Sequence, residues 1–148
     1  MKIFYKPGID GDFGFTLIEL VIVIVILGIL ASVGIPVIGG MIGSSKENST
    51  KRELLFLKTA IVGQTGSAEI RGYENDVGSL PPDLTGLISK PGGVSNWDRF
   101  TQTGWNGPYI ESNNNEYLVD AWGVNYIYNA GARTIKSVGG PDSLTVAF

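Results

Sequence analysis

The sequence predicts an α+β chain: a long amino-terminal helix, apolar and then amphipathic, packed on a small antiparallel β-sheet. Three observations carry that prediction. Residues 20–42 hold no charged side chain, about the ~20 apolar residues a helix needs to cross a bilayer's hydrocarbon core. Leu54, Leu57 and Ile61 then recur at helical spacing. In the last third, short runs rich in Tyr, Val and Ile alternate with Gly- and Asn-containing turns.

The apolar run is the first element. A helix satisfies its own backbone, so it alone among open-ended elements is stable in lipid. Glu19 stands at the edge of this run, where an ionised carboxylate costs roughly 2.5–3.5 kcal/mol on insertion scales. A cation close by would offset that cost. Pro36 lacks the donor for one helical hydrogen bond and is expected to bend the helix. Gly34, Gly39, Gly40 and Gly43 weaken helix propensity around it, so residues 34–43 are read as a flexible or locally melted portion.

From residue 44 to about 73 the helix is expected to continue with one apolar face, formed by Leu54, Leu57, Ile61 and Ala68 and joined by Leu55 and Val62. Lys46, Glu47, Lys51, Arg52, Glu53 and Lys58 give it a solvated face. Residues 74–108 are dense in Gly, Pro, Asn and Ser, which signals ordered loops. Within them Pro81-Pro82-Asp83 opens a short helix carrying Leu84, Leu87 and Ile88. Trp97, Phe100 and Trp105 are expected to pack against the sheet. Strands are predicted at 116–119, 124–128 and 134–138, as a meander. Its inner face carries either Tyr126 and Tyr128 or Val124 and Ile127, and the pattern is compatible with both.

Composition excludes several functions. The chain has 148 residues, no cysteine, no histidine and a formal charge of −3. Without Cys and His there is no usual zinc site and no Ser-His-Asp or Cys-His nucleophile system. The charge forms no basic face, so no nucleic-acid partner is expected. Glu111 with Glu116, and Asp98 with Asp120, are the carboxylate pairs an acid–base enzyme would need brought together. No catalytic residue is assigned, and the chain is read as a non-enzyme.

The segment Gly14-Phe15-Thr16-Leu17-Ile18-Glu19 resembles the processing site of type IV pilins and type II secretion pseudopilins. The resemblance implies cleavage by a prepilin peptidase between Gly14 and Phe15, N-methylation of Phe15, and a role in assembly for Glu19. Gly28 and Pro36 fall where the family often has a glycine and a bending proline. Residues 1–14 would be a cytoplasmic leader, 15–43 the transmembrane and filament-core helix, and 44–148 a periplasmic globular domain with the pilin fold. Lys2 and Lys6 agree with a cytoplasmic amino terminus, though Asp10 and Asp12 depart from the basic leaders usual there.

The second half sharpens the resemblance. Leu80-Pro81, Gly86-Leu87, Gly107-Pro108-Tyr109-Ile110 and Asp120-Ala121-Trp122-Gly123 look like the major pseudopilin of type II secretion, with Ala121 where that family usually has proline. This implies a structural subunit that polymerises into a helical pseudopilus driving protein secretion. Its partners would be further copies of itself, the prepilin peptidase, an inner-membrane assembly platform, minor pseudopilins and the membrane. A surface type IV pilin for adhesion, motility or DNA uptake is the alternative the amino-terminal motif also fits. The family also implies a calcium ion in the carboxy-terminal loop, where Asp142 and Ser143 are the side chains at hand. One aspartate, one serine and carbonyls are a sparse set for an ion that takes about six to eight oxygens.

Overall fold

The computed structural model describes residues 14–64, 66, 70–111 and 115–148, without the side chains of 33–38. The leader's Lys2, Lys6, Asp10 and Asp12, the face residue Ala68 and the side chain of Pro36 lie outside this description. The chain divides into two compact units between Gly40 and Met41.

Helix α1 spans Leu17–Val62. Its backbone remains helical through residues 34–43, so the expected melting is absent. A helix already nucleated on both sides adds one hydrogen bond per residue fixed, which outweighs the weak propensity of scattered glycines. In the first unit the apolar side chains of α1 from Leu17 to Leu30 are exposed. Among the described residues no helix is long and apolar enough to cross a membrane.

In the second unit α1 buries Leu54, Leu57, Ala60 and Ile61. The predicted face is therefore present as far as Ile61, with Ala60 added and Leu55 turned to solvent. The helix stops well before residue 73. Gly63 adopts φ +77° and its amide donates to Thr59 O at 2.8 Å, a left-handed glycine closing the last turn. A side chain at Gly63 would meet Arg71 O at 2.4 Å, and one at Gly72 would meet Gly63 N at 2.2 Å. The two glycines let the chain fold back on itself, and a separate helix α2, Gly72–Val77, begins there.

Asp83 caps the 3-10 turn Leu84–Leu87, its carboxylate accepting from Thr85 N. The predicted short helix therefore forms, though tighter than an α-helix. The predicted strand at 116–119 is instead a 3-10 turn, Asn115–Leu118. Only isolated pairing survives there, between Val119 and Asn125. The sheet is antiparallel and ordered β1-β2-β3, with β1 at Ile127–Asn129, β2 at Thr134–Ser137 and β3 at Leu144–Ala147. Its register pairs Tyr128 with Ile135 and Ser137 with Leu144. The sequence reading did not foresee β3, because Leu144-Thr145-Val146-Ala147 becomes a strand only by pairing along β2.

The tyrosine alternative is the one the fold adopts: Tyr126 is buried and Tyr128 half-buried, while Val124 and Ile127 face solvent. The core joins the α1 residues to Tyr73, Leu84, Leu87, Ile110, Tyr126 and Ile135. Trp105 packs against it and donates Nε1 to Gly86 O at 3.0 Å. Trp97 is partly buried with the Arg71 guanidinium over its ring. Phe100, expected to be buried, is 90% exposed. Asp98 Oδ1 accepts from the Phe100 amide at 2.8 Å in a tight bridge to Thr103, and that turn directs the ring outward.

Candidate functional site

Two places bear on function: the start of α1 and the turn around Asp120. At the first, Gly14 and Phe15 precede the helix in open surroundings, with nothing within 4 Å of a side chain placed on Gly14 and Phe15 exposed. Thr16 occupies the N-cap position. Its hydroxyl accepts from the Glu19 amide at 3.3 Å, and Glu19 Oε2 accepts from the Thr16 amide at 3.0 Å and the Thr16 hydroxyl at 2.8 Å. This reciprocal pair is a capping box, which satisfies two amides a helix start leaves unpaired. The spacing Thr-x-x-Glu at residues 16–19 is the signature of this box in the sequence. The carboxylate thus has partners within its own chain.

The second place is built on a buried carboxylate. Asp120 is 3% exposed, and it sits in the turn that the isolated Val119–Asn125 pairing closes, just before β1. Its Oδ1 accepts from the amides of Trp122 and Val124, both at 3.0 Å. Its Oδ2 accepts from Ser137 Oγ at 2.6 Å and from the Gly139 amide at 3.0 Å. Burial pushes this carboxyl's pKa up, but the hydrogen bonds from Ser137, Val124, Trp122 and Gly139 outweigh it and hold the group below the usual carboxylate range. Ala121, placed where the family usually has proline, donates its amide to the buried Thr50 hydroxyl of α1 at 3.2 Å. A proline has no such donor. The departure therefore ties the Asp120 turn to the helix.

Neighbouring contacts join the same half of the domain. Tyr126 donates its hydroxyl to Glu53 Oε2 at 2.7 Å. Lys58 Nζ donates to Ala147 O at 2.8 Å. Arg133 grips Glu74 with two bonds of 2.7 and 2.8 Å and donates Nε to Phe148 O. The Arg71–Asp76 ion pair, at 2.7 Å, has its aspartate buried.

These arrangements hold parts of the domain together. Asp98 serves the Phe100 amide and Asp120 serves four donors of its own, so the two are not brought together as a pair. Burial pushes Tyr109 and Tyr128 up to about 12 and Tyr126 higher still, which keeps these phenols protonated near neutrality. Asp142 and Ser143 stand exposed in the loop between β2 and β3. Among the described residues no group of three His, Cys, Asp or Glu side chains converges as a metal would require.

Residues 11–35 match the family model described as the prokaryotic N-terminal methylation motif. No solved structure is significantly similar to the chain. Over 119 residues, 80% of this chain and 68% of the relative, the sequence is 35% identical to type II secretion system core protein G of Xanthomonas campestris pv. campestris. That likeness runs far beyond the amino-terminal motif, so the chain belongs to the type II secretion system core protein G family, the major pseudopilins.

Proposed function

We propose that this protein is the structural subunit of a helical pseudopilus that drives type II secretion, with no catalytic centre of its own. The observation that carries the reading is the 35% identity to core protein G, in a chain whose helix presents bare apolar side chains from Leu17 to Leu30. The methylation motif alone would suit a surface type IV pilin equally. The match across the globular half favours the pseudopilus.

In this reading the prepilin peptidase cuts between Gly14 and Phe15, the new amino group of Phe15 is methylated, and residues 15–43 wait in the inner membrane. The amino terminus faces the cytoplasm and residues 44–148 lie in the periplasm. The open setting of Gly14 and Phe15 supports access to the peptidase. The assembly platform and minor pseudopilins then act on a subunit whose helix leaves lipid to pack against its copies. The contact is head-to-tail and does not close, so it propagates. The Phe15 amine of one copy supplies the cation that the Glu19 carboxylate of another needs in an apolar filament core, where an unpaired charge costs several kcal/mol. Pro36 would let the helix bend as it packs.

Mass spectrometry of the protein from its native host tests the reading. A chain beginning at methylated Phe15, in cells that form fibres when the protein is overproduced, is the expected result. Retention of residues 1–14 together with an absence of fibres would refute it. Glu19→Ala should still enter the membrane yet assemble poorly, and normal fibres from that variant would dispose of the pairing with Phe15.

A further inference from the structure

We propose that the β2–β3 loop is locked by the Asp120 carboxylate itself, and that this chain takes no calcium there although its family resemblance implies one. The loop comprises residues 138–143, closed at its base by the Ser137–Leu144 pair. Its only acidic residue is Asp142, which is exposed. A divalent ion held there would face one carboxylate, one hydroxyl and backbone carbonyls, well short of the about six to eight oxygens calcium takes. Half of its charge would go uncompensated by any side chain.

Asp120 is the carboxylate closest to the loop's base through its bonds to Ser137 and Gly139, and it has no capacity left. A carboxylate offers about four lone-pair sites. All are engaged, by Trp122 N, Val124 N, Ser137 Oγ and Gly139 N. An ion would have to displace charge-assisted donors, that of Ser137 buried and the other three partly buried, a type of bond roughly twice as strong as a neutral one.

Packing leaves no room for the exchange. A side chain on Gly139 would lie 2.4 Å from Asp120 Oδ2, and one on Gly140 would lie 2.9 Å from the Trp122 ring. The two glycines therefore bring the loop backbone directly onto the Asp120 turn. That turn is in turn tied to α1 by the Ala121–Thr50 bond. Helix, turn and loop are linked by protein groups throughout, where a metal-stapled loop would need a cation to neutralise converging oxygens. The assignment concerns the folded subunit and is independent of whether it forms filaments.

The test is thermal unfolding of the full-length protein in detergent, with excess calcium and after chelation by EGTA, beside calorimetric titration with calcium chloride. The expected Tm is the same in both conditions, with no saturable heat. Asp142→Asn and Ser143→Ala should leave Tm unchanged. Asp120→Asn places an amide against several donors and should lower Tm by roughly 10 °C with or without calcium. Gly139→Ala should lower it as well, by pushing the loop off the carboxylate, and it serves if Asp120→Asn does not fold. A calcium-dependent rise in Tm of the unmodified protein, abolished by Asp142→Asn, would overturn the proposal. So would an Asp120→Asn variant as stable as the parent.

Discussion

Ser137 Oγ lies 2.6 Å from Asp120 Oδ2, with both residues buried, so the last residue of β2 donates to a turn 17 positions earlier in the chain. The consequence is an acid-sensitive join. A carboxyl whose pKa is lower in the folded state than its unfolded value, about 3.9 for Asp, adds stability that is complete above the unfolded value. That stability drains away as pH falls through the folded one. Glu74, held low by its hydrogen bonds to Arg133, works in the same direction, so an acid melting curve of the parent reports both. The Tm difference between parent and Asp120→Asn isolates one of them. It should be constant from neutrality to about pH 5 and narrow below about pH 4. A gap that persists unchanged as far as the fold survives would show that the Asp120 charge contributes nothing.

Tyr126 and Glu53 should behave as a coupled pair. Tyr126→Phe removes the hydroxyl that donates to Glu53 Oε2 and leaves a partly buried carboxylate oxygen short of a partner, a loss of about 1–2 kcal/mol. Glu53→Gln weakens the same bond from its other end. Urea unfolding of both singles and the double should give a coupling energy near 1 kcal/mol. Simple additivity would mean that the bond is not formed in solution.

At the start of α1, Thr16→Val keeps the shape of the side chain but deletes the hydroxyl that Glu19 and its amide both use. Losing an N-cap costs about 1 kcal/mol. The Glu19 amide should then exchange its hydrogen roughly fivefold faster, the factor that energy corresponds to. Thr16→Ser, which keeps the hydroxyl, should restore the parent rate. An equal rate in Thr16→Val and the parent would show that the capping box does not hold the first turn.

The core and the surface aromatic should answer oppositely to truncation. Leu57 is buried against Tyr73, Leu87 and the rest of the core cluster, and Leu57→Ala should cost about 2–5 kcal/mol. Phe100→Ala removes a larger side chain that is 90% exposed, and it should change stability by less than about 0.5 kcal/mol. Equilibrium unfolding of both variants decides the matter. A large loss for Phe100→Ala would mean that its ring is covered by something in solution.

Local pattern alone determined the long helix, its change from apolar to amphipathic, the faces of Leu54, Leu57 and Ile61, the turn at Asp83, and the family to which the chain belongs. Each of these follows from spacing along one element or from a contiguous motif, where neighbours in sequence are neighbours in space. Tertiary structure alone decided that α1 ends at Val62 against Gly72, that residues 115–118 coil while 144–147 pair, that Tyr126 faces inward and Phe100 outward, and that Asp120 gathers Ser137 and Gly139. Those outcomes depend on hydrogen-bond partners and burial supplied by distant segments. A short run such as Leu144-Thr145-Val146-Ala147 has no strand of its own until β2 offers it an edge, and a lone aspartate has no assigned role until the fold brings its donors to it.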